Sequence, residues 1–151
     1  PRTDRKILIA GHLLRQSVMG SDLSYEDMME DHKLSNAYAA TLEGYEDFEG
    51  TRLAILHLIA YDKKTTYQTR KAWVNPENKT VLKEERFAKS GKILKRVLFK
   101  DYEEIAGRIF PRTMIFKDLL KKNTKTTYKF DVIEFDVEIP DRYFSQSILK
   151  R

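Results

Sequence analysis

The chain has 151 residues, with 28 basic against 23 acidic side chains, three histidines and no cysteine, for a net charge of +5. A domain of this length buries roughly two thirds of its unfolded surface and needs no metal or disulfide staple, and the lack of cysteine excludes a disulfide framework and thiolate chemistry. Charge this interleaved describes a solvated surface, and no window approaches the roughly 18 consecutive apolar residues of a membrane-spanning helix.

The start at Pro1-Arg2-Thr3-Asp4 runs at once into a strand-like segment, as expected of a processed product or an excised fragment. Residues 5–14 are dense in Ile and Leu, are interrupted at Gly11-His12, and read as one bent strand or two short ones. Ser24 then offers an N-cap with Asp27 three residues on, which predicts a short helix. From Asn36 the pattern alternates, with Tyr38, Ala40 and Leu42 on one side, and an acidic turn is expected over residues 44–50. Residues 52–61 are apolar on both sides, which places this strand inside the sheet. Turns at residues 62–64 and 75–78 bracket a strand over 67–74, with Tyr67 and Trp73 sharing a face with Thr69 and Lys71.

Strands over residues 81–87, 93–102 and 109–120 follow, separated by turns at 89–92 and 104–107. After a reversal at Lys121-Lys122-Asn123, residues 126–137 read as a last strand whose apolar parity slips, predicting a β-bulge near Val132-Ile133. Pro140 stops it and Asp141 starts a brief helical turn. The expected fold is a single all-β domain over residues 1–151, a curved antiparallel sheet of about eight strands forming an incomplete open barrel with one or two short helices.

His12, His32 and His57 stand in no metal-ligand spacing. His57, between Leu56 and Leu58, reads as a core or cavity-wall imidazole. Acid pairs such as Glu26-Asp27 and Glu84-Glu85 point to opposite faces of a strand or flank turns, so they read as solvated surface and no catalytic residue is assigned. No nucleophile elbow, phosphate loop or dinucleotide fingerprint occurs. Basic residues interleave with aromatics at 67–73, 86–87, 96–100 and 128–130, which keeps a nucleic-acid-binding β module as an alternative. The apolar surplus of strands 52–61, 93–99 and 109–120 fits either a filled core that binds nothing or a cavity for an acyl chain.

In order and spacing, five segments resemble the outer-membrane lipoprotein-sorting proteins, the LolA-like superfamily of periplasmic lipoprotein carriers. They are Met19-Gly20-Ser21-Asp22-Leu23-Ser24-Tyr25-Glu26-Asp27, Ala72-Trp73-Val74-Asn75, Lys92-Ile93-Leu94-Lys95, Ile109-Phe110-Pro111-Arg112-Thr113-Met114 and Val137-Glu138-Ile139-Pro140-Asp141-Arg142-Tyr143-Phe144. The resemblance implies a half-barrel with helices plugging its open side, carrying lipid or lipoprotein acyl chains across the periplasm, without catalysis, metal or cofactor. This chain corresponds to the C-terminal two thirds of such a half-barrel, and the family's ligand-gating aromatic and basic residues lie largely outside the match. The residues expected in its hydrophobic wall are Leu56, Leu58, Trp73, Phe99, Met114, Phe116 and Phe130. Expected partners are the acyl chain and an inner-membrane transporter, with no nucleic acid. Loss of the first strands would leave an open edge near residues 5–14, which predicts a homodimer.

Overall fold

A computed structural model of the protein describes residues 11–29 and 34–145. Seven strands form one antiparallel sheet in strict sequence order: β1 (Tyr38–Phe48), β2 (Thr51–Ala60), β3 (Thr69–Val74), β4 (Val81–Phe87), β5 (Ile93–Ile105), β6 (Arg108–Asp118) and β7 (Thr126–Lys129). β2 lies between two partners, as its two-sided apolar pattern requires. Two short helices, α1 (Tyr25–Met28) and α2 (Leu34–Ala37), precede the sheet, and a 3-10 turn at Asp141–Phe144 follows Pro140 near its end. Seven strands stand among the described residues against the eight expected. The expected strand over residues 5–14 lies outside them up to residue 10, and Gly11–Leu13 forms a 3-10 turn.

Two hairpins are closed by two-residue turns in which both positions have positive φ. These are Glu49-Gly50 (49° and 78°) between β1 and β2, and Ala106-Gly107 (49° and 74°) between β5 and β6. Turns of this kind match the twist of the flanking strands. They also explain a difference from the sequence reading. Residues 44–48 are not a turn: β1 absorbs Glu43 as a bulge between Leu42 and Gly44, and the strand runs on to Phe48. Placing a β-branched side chain in the left-handed region is strained. Gly50→Val is therefore expected to lower stability by about 1–2 kcal/mol, read as a lower urea midpoint at unchanged slope.

The last strand is also shorter than expected. β7 ends at Lys129, so the expected bulge near Val132-Ile133 falls outside any strand. The cause is Arg112 of β6. The Phe130 amide still donates to the Arg112 carbonyl at 2.9 Å, but the Arg112 guanidinium takes the carbonyls of Phe130 (3.2 Å) and Asp131 (3.0 Å). These acceptors are satisfied by a side chain and the ladder stops. Beyond it, Phe110 packs edge-on against Phe130 and Phe135.

Directly opposed residues share a face, so the register sorts the sheet into two faces. One face carries Leu58, Arg70, Arg86 and Lys95 across four strands, and Leu56, Ala72, Glu84, Val97 and Phe116 across five. The helical segment lies on it. Its core is split in two: Leu23, Val97 and Phe116 form one cluster with Phe99 and Met114 packed against it, and Tyr38, Leu58 and Ala72 form the other. Glu84 stands in register between Ala72 and Val97, so a charged residue divides the apolar core.

Candidate functional site

The opposite face carries Ile55, Trp73, Lys83 and Leu98 in one row across four strands. A pocket of about 720 Å³ opens here, its apolar lining Phe48, Leu53, Trp73, Leu82, Leu98 and Phe99, with Lys83, Arg96, Lys100, Glu46, Glu49, Asp101 and Tyr102 around it. β1, β2, β3, β4 and β5 all contribute. The floor is buried: Leu53 is 2% and Trp73 6% exposed. The indole N–H donates to Glu46 Oε2 at 2.8 Å, and Lys83 Nζ sits 3.4 Å from the ring centroid. Tyr102 donates its hydroxyl to the Val81 carbonyl at 2.5 Å, and burial pushes its pKa up to about 12, so it stays a neutral donor. The arrangement is an apolar floor with the Lys83 ammonium lying over its indole and guanidinium and carboxylate groups at its margin. Such a pocket suits an amphiphile whose tail lies on the floor.

A smaller pocket on this face, about 280 Å³, is lined by His57, Glu43, Thr69, Lys71 and Phe87. His57, for which the sequence left a core or a cavity-wall place open, is half-buried there. Among the described residues, no three His, Cys, Asp or Glu side chains come together as a metal-ligand set.

The face under the helical segment holds a buried ionic network. Ser24 caps α1: its hydroxyl accepts from the Asp27 amide, while its own amide donates to Asp27 Oδ2 at 2.7 Å, the reciprocal pair expected from the sequence. This aims Asp27 at the sheet, where its fully buried carboxylate receives Arg86 (2.9 Å), the Tyr67 hydroxyl (2.8 Å) and Lys95. Arg86 also pairs with Glu84 at 2.6 Å, and Glu84 with Arg70 at 2.9 Å. Burial acts to raise the Asp27 pKa, but the charges of Arg86 and Lys95 and the Lys95 and Ser24 hydrogen bonds outweigh it, so the carboxyl lies below its ordinary range. Tyr67 moves upward, through burial and the charge of Asp27.

Asp22 makes a second tie. Its carboxylate accepts from Thr124 (2.8 Å), Thr126 (3.1 Å) and the Asp118 amide (3.1 Å), and Lys121 donates to Ser17 and to the Ser21 carbonyl. Burial raises the Asp22 pKa, and these hydrogen bonds lower it by more.

The residues expected in a hydrophobic wall fall into separate places. Trp73 lines the large pocket, and Phe99 borders it although its register places it with Val97 on the other face. Leu56 and Leu58 belong to the core cluster around Tyr38, while Phe116 and Met114 belong to the one around Val97, which Phe99 also touches. Phe130 sits with Phe110 and Tyr128 beside β6 and β7. Two sequence readings are corrected. Tyr67 does not share the Trp73 face: it precedes the paired residues of β3, and its hydroxyl reaches Asp27 on the other side. Asp27 and Glu84 are not solvated surface but buried ion-pair partners. The available signal was alternation: Arg70 with Ala72, Glu84 with Arg86, and Lys95 with Val97 put charges on an apolar face.

A family described as "Uncharacterized protein" has a model matching residues 1–151. No curated protein sequence matches. Three solved structures are similar. A DUF1329 family protein from Desulfovibrio piger has a TM-score of 0.81 and 27% identity, over 93% of this chain and 58% of that one. A domain attributed to outer membrane lipoprotein sorting, from Vibrio parahaemolyticus, has a TM-score of 0.77 and 23% identity, over 95% of this chain and 60% of that one. A LolA superfamily protein from Nitrosomonas europaea has a TM-score of 0.75 and 24% identity, over 89% of this chain and 60% of that one. The last two likenesses speak for the fold alone. The chain spans between 58% and 60% of the length of these solved chains.

Proposed function

Because the chain belongs to that family of "Uncharacterized protein" members and is built on the LolA-like fold, we propose that it is a periplasmic carrier which binds lipid or lipoprotein acyl chains for outer-membrane sorting. The observation that carries this reading is the pocket over Trp73. Its volume of about 720 Å³ falls within the range of roughly 300–1,000 Å³ common for small-molecule sites. Each methylene removed from water onto such a floor contributes about 0.8 kcal/mol, so part of an alkyl chain gives useful affinity without any covalent step. Among the described residues no helix is long and apolar enough to cross a membrane. In this reading an inner-membrane transporter hands over the acyl chain, and the protein holds it between membranes.

Trp73 is the one tryptophan of the chain and so reports on the pocket directly. Titration with dodecanoate is expected to give a saturable change in its fluorescence, reversed by a competing long-chain alcohol. A Trp73 signal indifferent to every acyl ligand, with no displacement of a bound fluorescent fatty acid, would sink the carrier reading. The second measurement expected to respond is native mass spectrometry of the gently purified protein, in which a co-purified lipid adds mass to the intact chain.

A further inference from the structure

The floor of the large pocket is covered by one of the protein's own cations. Trp73 stands opposite Lys83 and Lys83 opposite Leu98, so a lysine interrupts the apolar row, and its Nζ lies 3.4 Å from the indole centroid. The neighbouring row shows how the other cations of this face are held. Lys71, Glu85 and Arg96 are opposed across β3, β4 and β5, where Lys71 pairs with Glu43 at 2.9 Å and Arg96 with Glu85 at 2.7 Å. Glu46 is taken by the indole N–H. Among the described residues Lys83 pairs with no carboxylate, and its ammonium rests on the ring face alone. A ring face attracts an ammonium less strongly than an anion that accepts its hydrogen bonds.

We propose that Lys83 sets the head-group class of the pocket's ligand, an amphiphile with an anionic head, carboxylate or phosphate. The inference rests on the carrier reading and deepens it at the same site. A tail that reaches the indole has to displace the ammonium lying on it. A neutral head leaves the displaced ammonium without a partner, so the lost cation–π contact offsets part of the tail's burial. An anionic head takes the ammonium's hydrogen bonds at the pocket margin and frees the ring face for the tail. Lys83 is thus both the cover of the floor and the selector of what uncovers it. Lys100 adds a second cation to the lining. A cationic head would instead turn to Glu49 and Asp101, which also line the pocket, and it forms one arm of the test.

The test is calorimetric titration of dodecanoate, dodecyl phosphate, dodecanol and dodecyltrimethylammonium, each below its micellar concentration, into the full chain and into Lys83→Met, Lys83→Arg and Lys129→Met. The unaltered chain is expected to bind dodecanoate, dodecyl phosphate or both about tenfold or more tightly than dodecanol, and the two anions rank carboxylate against phosphate. Lys83→Met keeps an unbranched side chain beside the ring and removes the charge, so dodecanoate weakens by about the same factor, dodecanol does not weaken, and the preference disappears. Lys83→Arg keeps the charge and the preference. Lys129→Met removes an equal charge from β7 and leaves the preference unchanged. Equal affinity of the unaltered chain for the anions and dodecanol, tighter binding of dodecyltrimethylammonium than of both anions, or a preference that survives Lys83→Met would overturn the proposal and leave the carrier reading standing. No binding of any of the four amphiphiles removes the carrier reading, and this inference with it.

Discussion

Arg86→Ala is expected to lower the unfolding free energy by about 3–5 kcal/mol, the usual cost of removing one partner from a buried ion pair. The change strands two buried carboxylates, Asp27 and Glu84, each of which counts Arg86 among its cations. It also alters the response to acid. The Asp27 pKa is lowered in the folded chain, with Arg86 the largest cause opposing the effect of burial. A carboxyl lowered on folding adds stability above its unfolded pKa of about 3.9, and that stability is lost as pH falls through the folded value. The unaltered chain therefore weakens on acidification below the ordinary carboxylate range. Arg86→Ala should start weaker at neutral pH and lose less on the way down. Urea midpoints measured at pH 7 and pH 3 for both proteins check the two statements together. Equal slopes of stability against pH would show that Arg86 does not govern Asp27.

Trp73→Ala is expected to cost about 3–5 kcal/mol and to weaken acyl binding tenfold or more. The ring is nearly buried, is covered by Lys83, and holds Glu46 through its N–H. Truncation removes the floor and leaves both charged partners without their contact. Trp73→Phe separates these roles: it keeps an aromatic floor and loses only the donor to Glu46, so it should retain binding while losing about 1–3 kcal/mol of stability. Displacement of a fluorescent fatty acid reads binding in both variants, neither of which has an indole of its own to follow. Binding that survives in Trp73→Ala would move the acyl site elsewhere.

Local rules made much of this architecture legible. The cap at Ser24 and Asp27 lies within four consecutive residues, and it formed as read. The strand over residues 81–87 matches β4 at both ends, and the turn before Ile93 uses Gly91 at φ 79°. β1 was harder, because Gly44, Glu46 and Asp47 are poor strand formers. It is the bulge at Glu43, its tie to Lys71, and the turn at Glu49-Gly50 that keep this stretch paired. Alternation put the buried charges on an apolar face, but their pairing was illegible for a different reason. Asp27 and Lys95 are 68 residues apart and Arg70 and Glu84 are 14 apart, and whether such a charge is buried depends on a partner that no local window contains. The large pocket was half legible: Trp73 and Phe99 stood out as bulky strand residues, whereas Lys83 and Glu46 acquire their meaning only from the ring between them.

The order of the strands also bears on how the molecule is made. Each hairpin pairs neighbours in sequence, so it can zip up soon after it leaves the ribosome, at small loop-closure cost. The segment from Ser17 to Asp27 leaves earlier than any of the described strands, yet its anchors are Lys95, Asp118 and Thr126, with Thr126 lying 104 positions after Asp22. The earliest of these described elements to be synthesised is thus the last to be seated, and until then a nascent chain shows the Val97 and Phe116 surface to whatever lies nearby.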